Sequence, residues 1–231
     1  MLIDDSRFPV GGYLPQSFID YPGKIAAVIF TVGCNFRCPF CHNPELVDPE
    51  SNPLNRLSFR EVAQRIMRNS RYLDGVVVTG GEPSIHSALP DVLRYFKSVG
   101  LLVKLDTNGS NPGLLEELLR ESLLDAVAMD IKAPFTEDRY SELSGVACDP
   151  ALLCRIRKSY DLLRSAGTLS VTFRSTLVKG LHTEEDIREM NDFLPADRLL
   201  QPFRPGRTLG KLAAVPFGSD ELLAVGGIAY S

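Results

Sequence analysis

The sequence contains no apolar run approaching the roughly 18 residues that a membrane-spanning helix requires, so a transmembrane protein is not expected. Its first residues, MLIDDSRFPVGG, lack both the basic start and the apolar core of a secretory signal, and a cytoplasmic location is the expectation. Basic residues are not in excess: 25 Lys and Arg stand against 29 Asp and Glu, a formal net charge of -4, which leaves no electrostatic footprint for nucleic acid or an anionic membrane. There is no low-complexity tract and no repeat of fixed period. Cysteine is scarce and odd in number, five in 231 residues. Three of the five fall within eight residues, a poor plan for disulfides and a reasonable one for metal ligands. With 44% hydrophobic and 23% charged residues, the composition is that of an ordinary globular protein.

Apolar, β-branched runs alternate with amphipathic stretches along nearly the whole chain, the pattern of βα units around a parallel sheet. Strands are predicted at residues 26–32, 75–79, 101–106, 126–130, 169–178 and 198–201, and helices at 58–69, 86–98, 112–121, 150–166 and 183–193. Ser58 followed by Glu61 gives a capping-box signal, Thr183 with Asp186 a weaker one, and Pro112 suits a first helical turn. Six strands and five helices consume most of the chain, so a single domain over residues 1–231 is expected, with an N-terminal segment 1–24 and an irregular tail 202–231. The tail, rich in Gly and Pro, is expected to wrap the surface or cover one end of the barrel.

After the first strand comes Cys34-Asn-Phe-Arg-Cys38-Pro-Phe-Cys41-His-Asn-Pro, a CxxxCxxC cluster in a loop. Three thiolates so spaced can converge on one metal centre, and sulfur selects zinc, Cu(I) or iron–sulfur clusters. A structural zinc site wants four closed ligands, and no fourth cysteine follows at suitable spacing, although His42 is adjacent. Three cysteines on a four-iron cluster would leave one iron open to a small molecule. The next strands end in Thr79-Gly80-Gly81-Glu82, Asp106-Thr107-Asn108-Gly109 and Asp130-Ile131-Lys132. In a parallel barrel these ends share one face with the cysteine loop. A glycine pair lets a ligand approach the backbone, where carbonyls accept from an ammonium, and Glu82 can support that geometry. Lys132 suits a carboxylate, and Asp106 with Asp130 suits a cation or hydroxyls. Singly each motif has an ordinary explanation as a turn or an ion pair; in this order they form a pattern.

That pattern, with Ser17-Phe-Ile-Asp20-Tyr-Pro22-Gly23-Lys24, Phe30 and Gly33 before it and His42-Asn43-Pro44 closing the cysteine motif, resembles the radical S-adenosylmethionine enzymes. Within them it is similar to the glycyl-radical-enzyme activases, most of all those of anaerobic ribonucleoside-triphosphate reductase, over residues 17–203. The resemblance implies a partial (β/α)6 barrel, open on one side. It implies a 4Fe-4S cluster on Cys34, Cys38 and Cys41, with S-adenosylmethionine chelating the fourth iron and Phe40 near its adenine. Gly80, Gly81 and Glu82 match the segment that receives the methionine amino group, and Lys132 matches a lysine that meets its carboxylate. Asp106 and Asp130, with backbone oxygens of Thr107 and Ile131, match a monovalent cation site. Asn108 shares the strand end with Asp106, and Arg174 resembles an interior arginine of the activases. Asp20 sits in the segment that contacts the substrate peptide. In two places the chain departs from the pyruvate formate-lyase activase: Asp-Gly-Pro-Gly reads Asp20-Tyr-Pro-Gly23, and a late histidine is replaced by Arg204.

The implied activity is reductive cleavage of S-adenosylmethionine to a 5'-deoxyadenosyl radical that takes hydrogen from a glycine of a partner glycyl-radical enzyme, under anaerobic conditions and with a flavodoxin or ferredoxin as electron donor. Two other readings stand beside it: a radical enzyme acting on a small molecule, such as a 7-carboxy-7-deazaguanine synthase-like reaction, and a zinc-stabilised binding module. His86 and His182 read as structural or solvated, and Cys148 and Cys154 are too few to hold a second cluster.

Overall fold

The computed structural model describes residues 4–48, 57–196, 198–218, 220–221 and 228–229. An antiparallel strand, β1 (Val10–Ser17), opens one sheet, followed by β2 (Ala26–Thr31), β3 (Gly75–Gly80), β4 (Leu102–Thr107), β5 (Ala126–Asp130), β6 (Ser170–Lys179) and β7 (Leu199–Pro202). From β2 to β7 the strands lie side by side in chain order and all are parallel. These are the six strands expected, each displaced by no more than a residue or so. Two-residue strands complete the sheet: β8 (Val215–Pro216) is antiparallel to β6, and β9 (Ile228–Ala229) is parallel to β7. Among the described residues β1 and β9 are the two ends and no bond closes them, which makes the architecture a partial barrel.

β1 lies in the N-terminal segment 1–24, where no strand was predicted. VGGYLPQS shows no period-2 burial, and its register against β2 shifts twice, between Val10 and Gly12 and between Leu14 and Ser17. A proline and a glycine pair are tolerated there because it is an edge strand. The tail is likewise not wholly irregular, since β8 and β9 lie within it.

The helices are α1 (Pro44–Val47), α2 (Phe59–Asn69), α3 (Leu89–Ser98), α4 (Pro112–Arg120), α5 (Glu137–Ser144), α6 (Pro150–Arg164) and α7 (Glu184–Phe193). α1 and α5 were not expected. α5 reads EDRYSELS, buries only Tyr140, Leu143 and Ser144, and so carries almost no apolar periodicity. α3 begins later than predicted because Pro83–Ile85 forms a separate 3-10 turn. The capping expectations invert. Ser58 makes no side-chain cap bond, whereas Thr183 and Asp186 form the complete reciprocal box.

Strand alternation assigns each side chain to a face. One face carries Ile29, Val76, Val78, Val103, Leu105, Val127 and Met129, which pack with Phe59, Ile66, Leu93, Phe96, Leu115, Leu118 and Tyr160 of the helices. The inner face is divided along its length. Its N-terminal half holds a small apolar cluster of Ala26, Val28, Val77 and Ala126 with Tyr21, and its C-terminal half holds Thr79, Asp106, Asp130, Arg174 and Thr176. The strand ends thus deliver polar groups to one mouth, and Lys104 is the charged side chain set between Val77 and Ala126 of the apolar floor.

Candidate active site

The loop after β2 carries the three cysteines, and backbone bonds to four other segments hold it. From the β3 end, Gly81 N–H donates to the Thr31 carbonyl (2.9 Å) and Glu82 N–H to that of Gly33 (2.8 Å). From α1, the Leu46 carbonyl accepts from Gly33 N–H (2.7 Å), and from the last residue of α5 the Ser144 carbonyl accepts from Arg37 N–H (2.8 Å). From the tail, Leu209 N–H donates to the Cys41 carbonyl (3.0 Å) and Gly210 N–H to that of Pro39 (2.8 Å). Leu209 and Gly210 of the tail therefore lie against the cysteine loop.

The glycine pair has a physical reason within the chain itself. A Cβ on Gly81 would overlap the carbonyl oxygen of Gly33, and one on Gly80, at φ +115°, would overlap the Thr31 backbone. What approaches these glycines closely is the cysteine loop itself. Glu82 is buried and its carboxylate accepts from Ser84 N–H (3.0 Å), the Thr107 hydroxyl (2.6 Å) and Asn108 N–H (2.6 Å), so it ties the end of β3 to the end of β4. Burial raises its pKa, opposed by these donors. Asn108 in turn donates to the Asn35 side chain in the cysteine loop (2.9 Å).

Asp106, Asp130, Lys132 and Arg174 form one chain of ion pairs. Arg174 on β6 reaches Asp130 (2.6 Å) and Asp106 (3.1 Å); Lys132 meets the other oxygen of Asp130 (2.9 Å), and Lys104 the other oxygen of Asp106 (2.7 Å). Burial alone would raise the Asp130 carboxyl, but the charges of Arg174 and Lys132 hold it well below the usual carboxylate range. Burial likewise opposes the charge on Lys132, and Asp130 outweighs it and raises the amine. All four carboxylate oxygens already face a resident cation, so Asp106 and Asp130 do not fit a monovalent metal ion. Among the described residues no three Cys, His, Asp or Glu side chains are placed to hold a single ion.

One cavity is lined by Cys34, Cys38, Cys41, Phe40, Gly80, Gly81, Glu82, Asp106, Asn108, Asp130, Lys132 and Arg174, which brings together every predicted site residue except Asp20. Its walls beside the cysteines are Phe36 and Val47. Burial pushes the Cys34 thiol up to about 12 and the Cys38 thiol to about 11, and Cys41 rises for the same reason. Three thiols, Cys38 buried and Cys34 and Cys41 half-buried, around one polar cavity fit a sulfur-ligated cluster, since a metal centre supplies the positive charge that makes them thiolates. Asp20 lies in an adjoining cavity with Pro22, Lys104, Thr172 and Arg204, and the two cavities share His42, Arg174, Thr176 and Gln201.

Sequence reasoning missed Lys104, Thr176 and Gln201. Period-2 alternation from Asp106 and Arg174 would have found the first two, since Lys104 and Thr176 are each two residues away on the same face. His42 stacks on Phe203 (5.2 Å between ring centres), and its Nε2 donates to the Arg204 carbonyl (2.6 Å). His182 is buried; its Nδ1 accepts from Val178 N–H (3.0 Å), which leaves Nε2 to donate to the Lys132 carbonyl (3.0 Å). Cys148 is buried, and Cys154 is exposed on α6.

The fold and this cavity define a protein that gathers three cysteines of one loop and the polar ends of a partial parallel barrel around one chamber. The model of the radical SAM superfamily matches residues 28–194, and the chain belongs to that superfamily of enzymes. The more particular kinship is with its glycyl-radical enzyme activating branch. A Methanocaldococcus jannaschii protein named for glycyl-radical enzyme activation is 36% identical over 183 residues, 78% of this chain and 73% of its own length. The pyruvate formate-lyase-activating enzyme of Clostridium pasteurianum is 33% identical over 135 residues, 56% of this chain and 54% of its own. In fold, the chain is similar to Streptococcus suis SuiB bound to S-adenosylmethionine, with a TM-score of 0.63 at 18% identity, over 86% of this chain and 45% of that one. Among the described residues no helix is long and apolar enough to cross a membrane.

Proposed function

We propose that this chain activates a glycyl-radical enzyme, with anaerobic ribonucleoside-triphosphate reductase as the partner and a flavodoxin or ferredoxin as electron donor. The observation that carries the reading is the single cavity in which Cys34, Cys38 and Cys41 meet the ends of β3, β4, β5 and β6. Bound there, a 4Fe-4S cluster with S-adenosylmethionine supplies one-electron cleavage of a carbon–sulfur bond and a carbon radical able to take hydrogen from glycine. The three thiolates hold the cluster. Carbonyls at Gly80 and Gly81 accept from the cofactor ammonium, while Lys132 and Arg174 receive its carboxylate, each already pre-positioned by Asp130. Phe40 would lie beside the adenine of the bound cofactor, and Phe36 and Val47, which line the same cavity, would keep water from the sulfur ligands. Arg174, Thr176 and Gln201 line both cavities, so a glycine loop entering past Asp20 reaches the cofactor through them.

Cys34→Ala, Cys38→Ala and Cys41→Ala should each abolish the four-iron complement after anaerobic reconstitution, while Cys148→Ala and Cys154→Ala retain it. Iron and sulfide analysis is the measurement. Four irons per chain in Cys38→Ala would overturn the ligand assignment.

A further inference from the structure

Lys104 does not line the cysteine cavity, yet it is almost completely buried, on the inner face of β4 between Val77 of β3 and Ala126 of β5. An apolar side chain would match these neighbours at no desolvation cost, so the ammonium needs compensating partners. It has two. Lys104 Nζ donates to Asp106 Oδ1 (2.7 Å) and to the backbone carbonyl of Asp20 (2.7 Å).

These partners belong to different places. Asp106 begins the ion-pair chain that runs through Arg174 to Asp130 and Lys132. Asp20 belongs to the turn that borders the second cavity. That turn is built locally: the Ser17 hydroxyl donates to the Asp20 carboxylate and accepts from Asp20 N–H (3.2 Å), while Lys24 N–H donates to the Tyr21 carbonyl (3.0 Å) around Pro22 and Gly23, the latter at φ +71°. Phe18 and Ile19 beside it are 71% and 67% exposed. The Lys104 contact is a charged bond from this exposed turn to the site's interior.

We propose that Lys104 is a positioning residue that couples occupancy of the cofactor cavity to the order of the turn at residues 18–24. The inference rests on the functional reading above, in which a carboxylate-bearing cofactor enters beside Lys132 and Arg174. Such a ligand draws on both cations, and Asp106 then depends more heavily on Lys104. The ammonium is fixed in place, and with it the Asp20 carbonyl. A filled cavity therefore presents an ordered turn, and by reciprocity a partner that docks on the ordered turn tightens cofactor binding.

The test is amide hydrogen exchange of residues 18–24 in anaerobically reconstituted protein, with and without S-adenosylmethionine, whose binding is measured separately by equilibrium dialysis. In the native protein the cofactor should slow exchange of this segment about fivefold or more, the scale of ordinary coupling between sites. Lys104→Met should bind cofactor but exchange rapidly in both states. Lys104→Gln keeps a neutral donor for the Asp20 carbonyl, and should restore part of the ligand-free protection with no response to cofactor, an outcome that a merely structural role does not produce. It also carries the test if the Met variant fails to fold. Native protein that binds S-adenosylmethionine without slowing this segment, or a variant that keeps the full response, would overturn the coupling. Native protein that holds its cluster and binds no S-adenosylmethionine would overturn the functional reading itself.

Discussion

At the scale of single residues, the site is governed by what its neighbours leave room for. Gly80 and Gly81 read in the sequence as a place for a ligand to approach the backbone, and in the fold the backbone of the cysteine loop also lies against them. Such a reason is invisible in sequence, because it depends on where the chain returns, at Gly80 against Thr31 and at Gly81 against Gly33. Gly81→Ala should therefore displace the loop as well as strain the β3 end. We expect a loss of about 1–3 kcal/mol in denaturant unfolding of the cluster-free protein, the usual scale of overpacking. Reconstituted iron should fall with it. A Gly81→Ala protein of native stability and full iron content would show that the loop is held by other means. Arg174 makes the complementary point. Its alternation into the barrel was legible, but that it satisfies both Asp106 and Asp130 was not, and the expected metal ion gives way to a guanidinium.

At the scale of elements, the six parallel strands were legible because β-branched runs bounded by turn residues survive almost any packing. β1 was not, since an edge strand with two register shifts carries no alternation, and α5 was not, since a short helix resting on Tyr140 and Leu143 has no stripe to read. Twelve of the thirteen predicted site residues line one cavity for a topological reason: consecutive parallel strands put their C-terminal ends on one side. Lys104 escaped although its alternation with Asp106 on β4 marks it for the same face. Capping was misread in rank, as the sequence of Ser58-x-x-Glu61 is the better match and Thr183-x-x-Asp186 the one that forms. Thr183→Ala should accordingly cost about 1 kcal/mol, and Ser58→Ala much less, since only the first removes a side-chain cap bond. Paired urea titrations of the two variants decide this, and equal losses would contradict the assignment.

At the scale of the whole molecule, the chain places a covered cysteine loop, an ion-paired cofactor chamber and an adjoining cavity with exposed Phe18 and Ile19 at its rim along one path. An enzyme that encloses a small substrate needs a lid to exclude other hydrogen donors. Among the described residues Leu209 and Gly210 of the tail bond to the cysteine loop, while Pro202 and Arg204 line the Asp20 cavity, the side that a partner would close on the proposed reading. Reduced, cluster-loaded protein given S-adenosylmethionine alone should therefore cleave it slowly. The most direct measurement adds anaerobic ribonucleoside-triphosphate reductase to that mixture and follows electron paramagnetic resonance together with 5'-deoxyadenosine release. The account predicts a glycyl radical signal on the reductase and a matching rise in 5'-deoxyadenosine. No radical on the reductase or on pyruvate formate-lyase, with stoichiometric turnover of a purine-like small molecule instead, would contradict it.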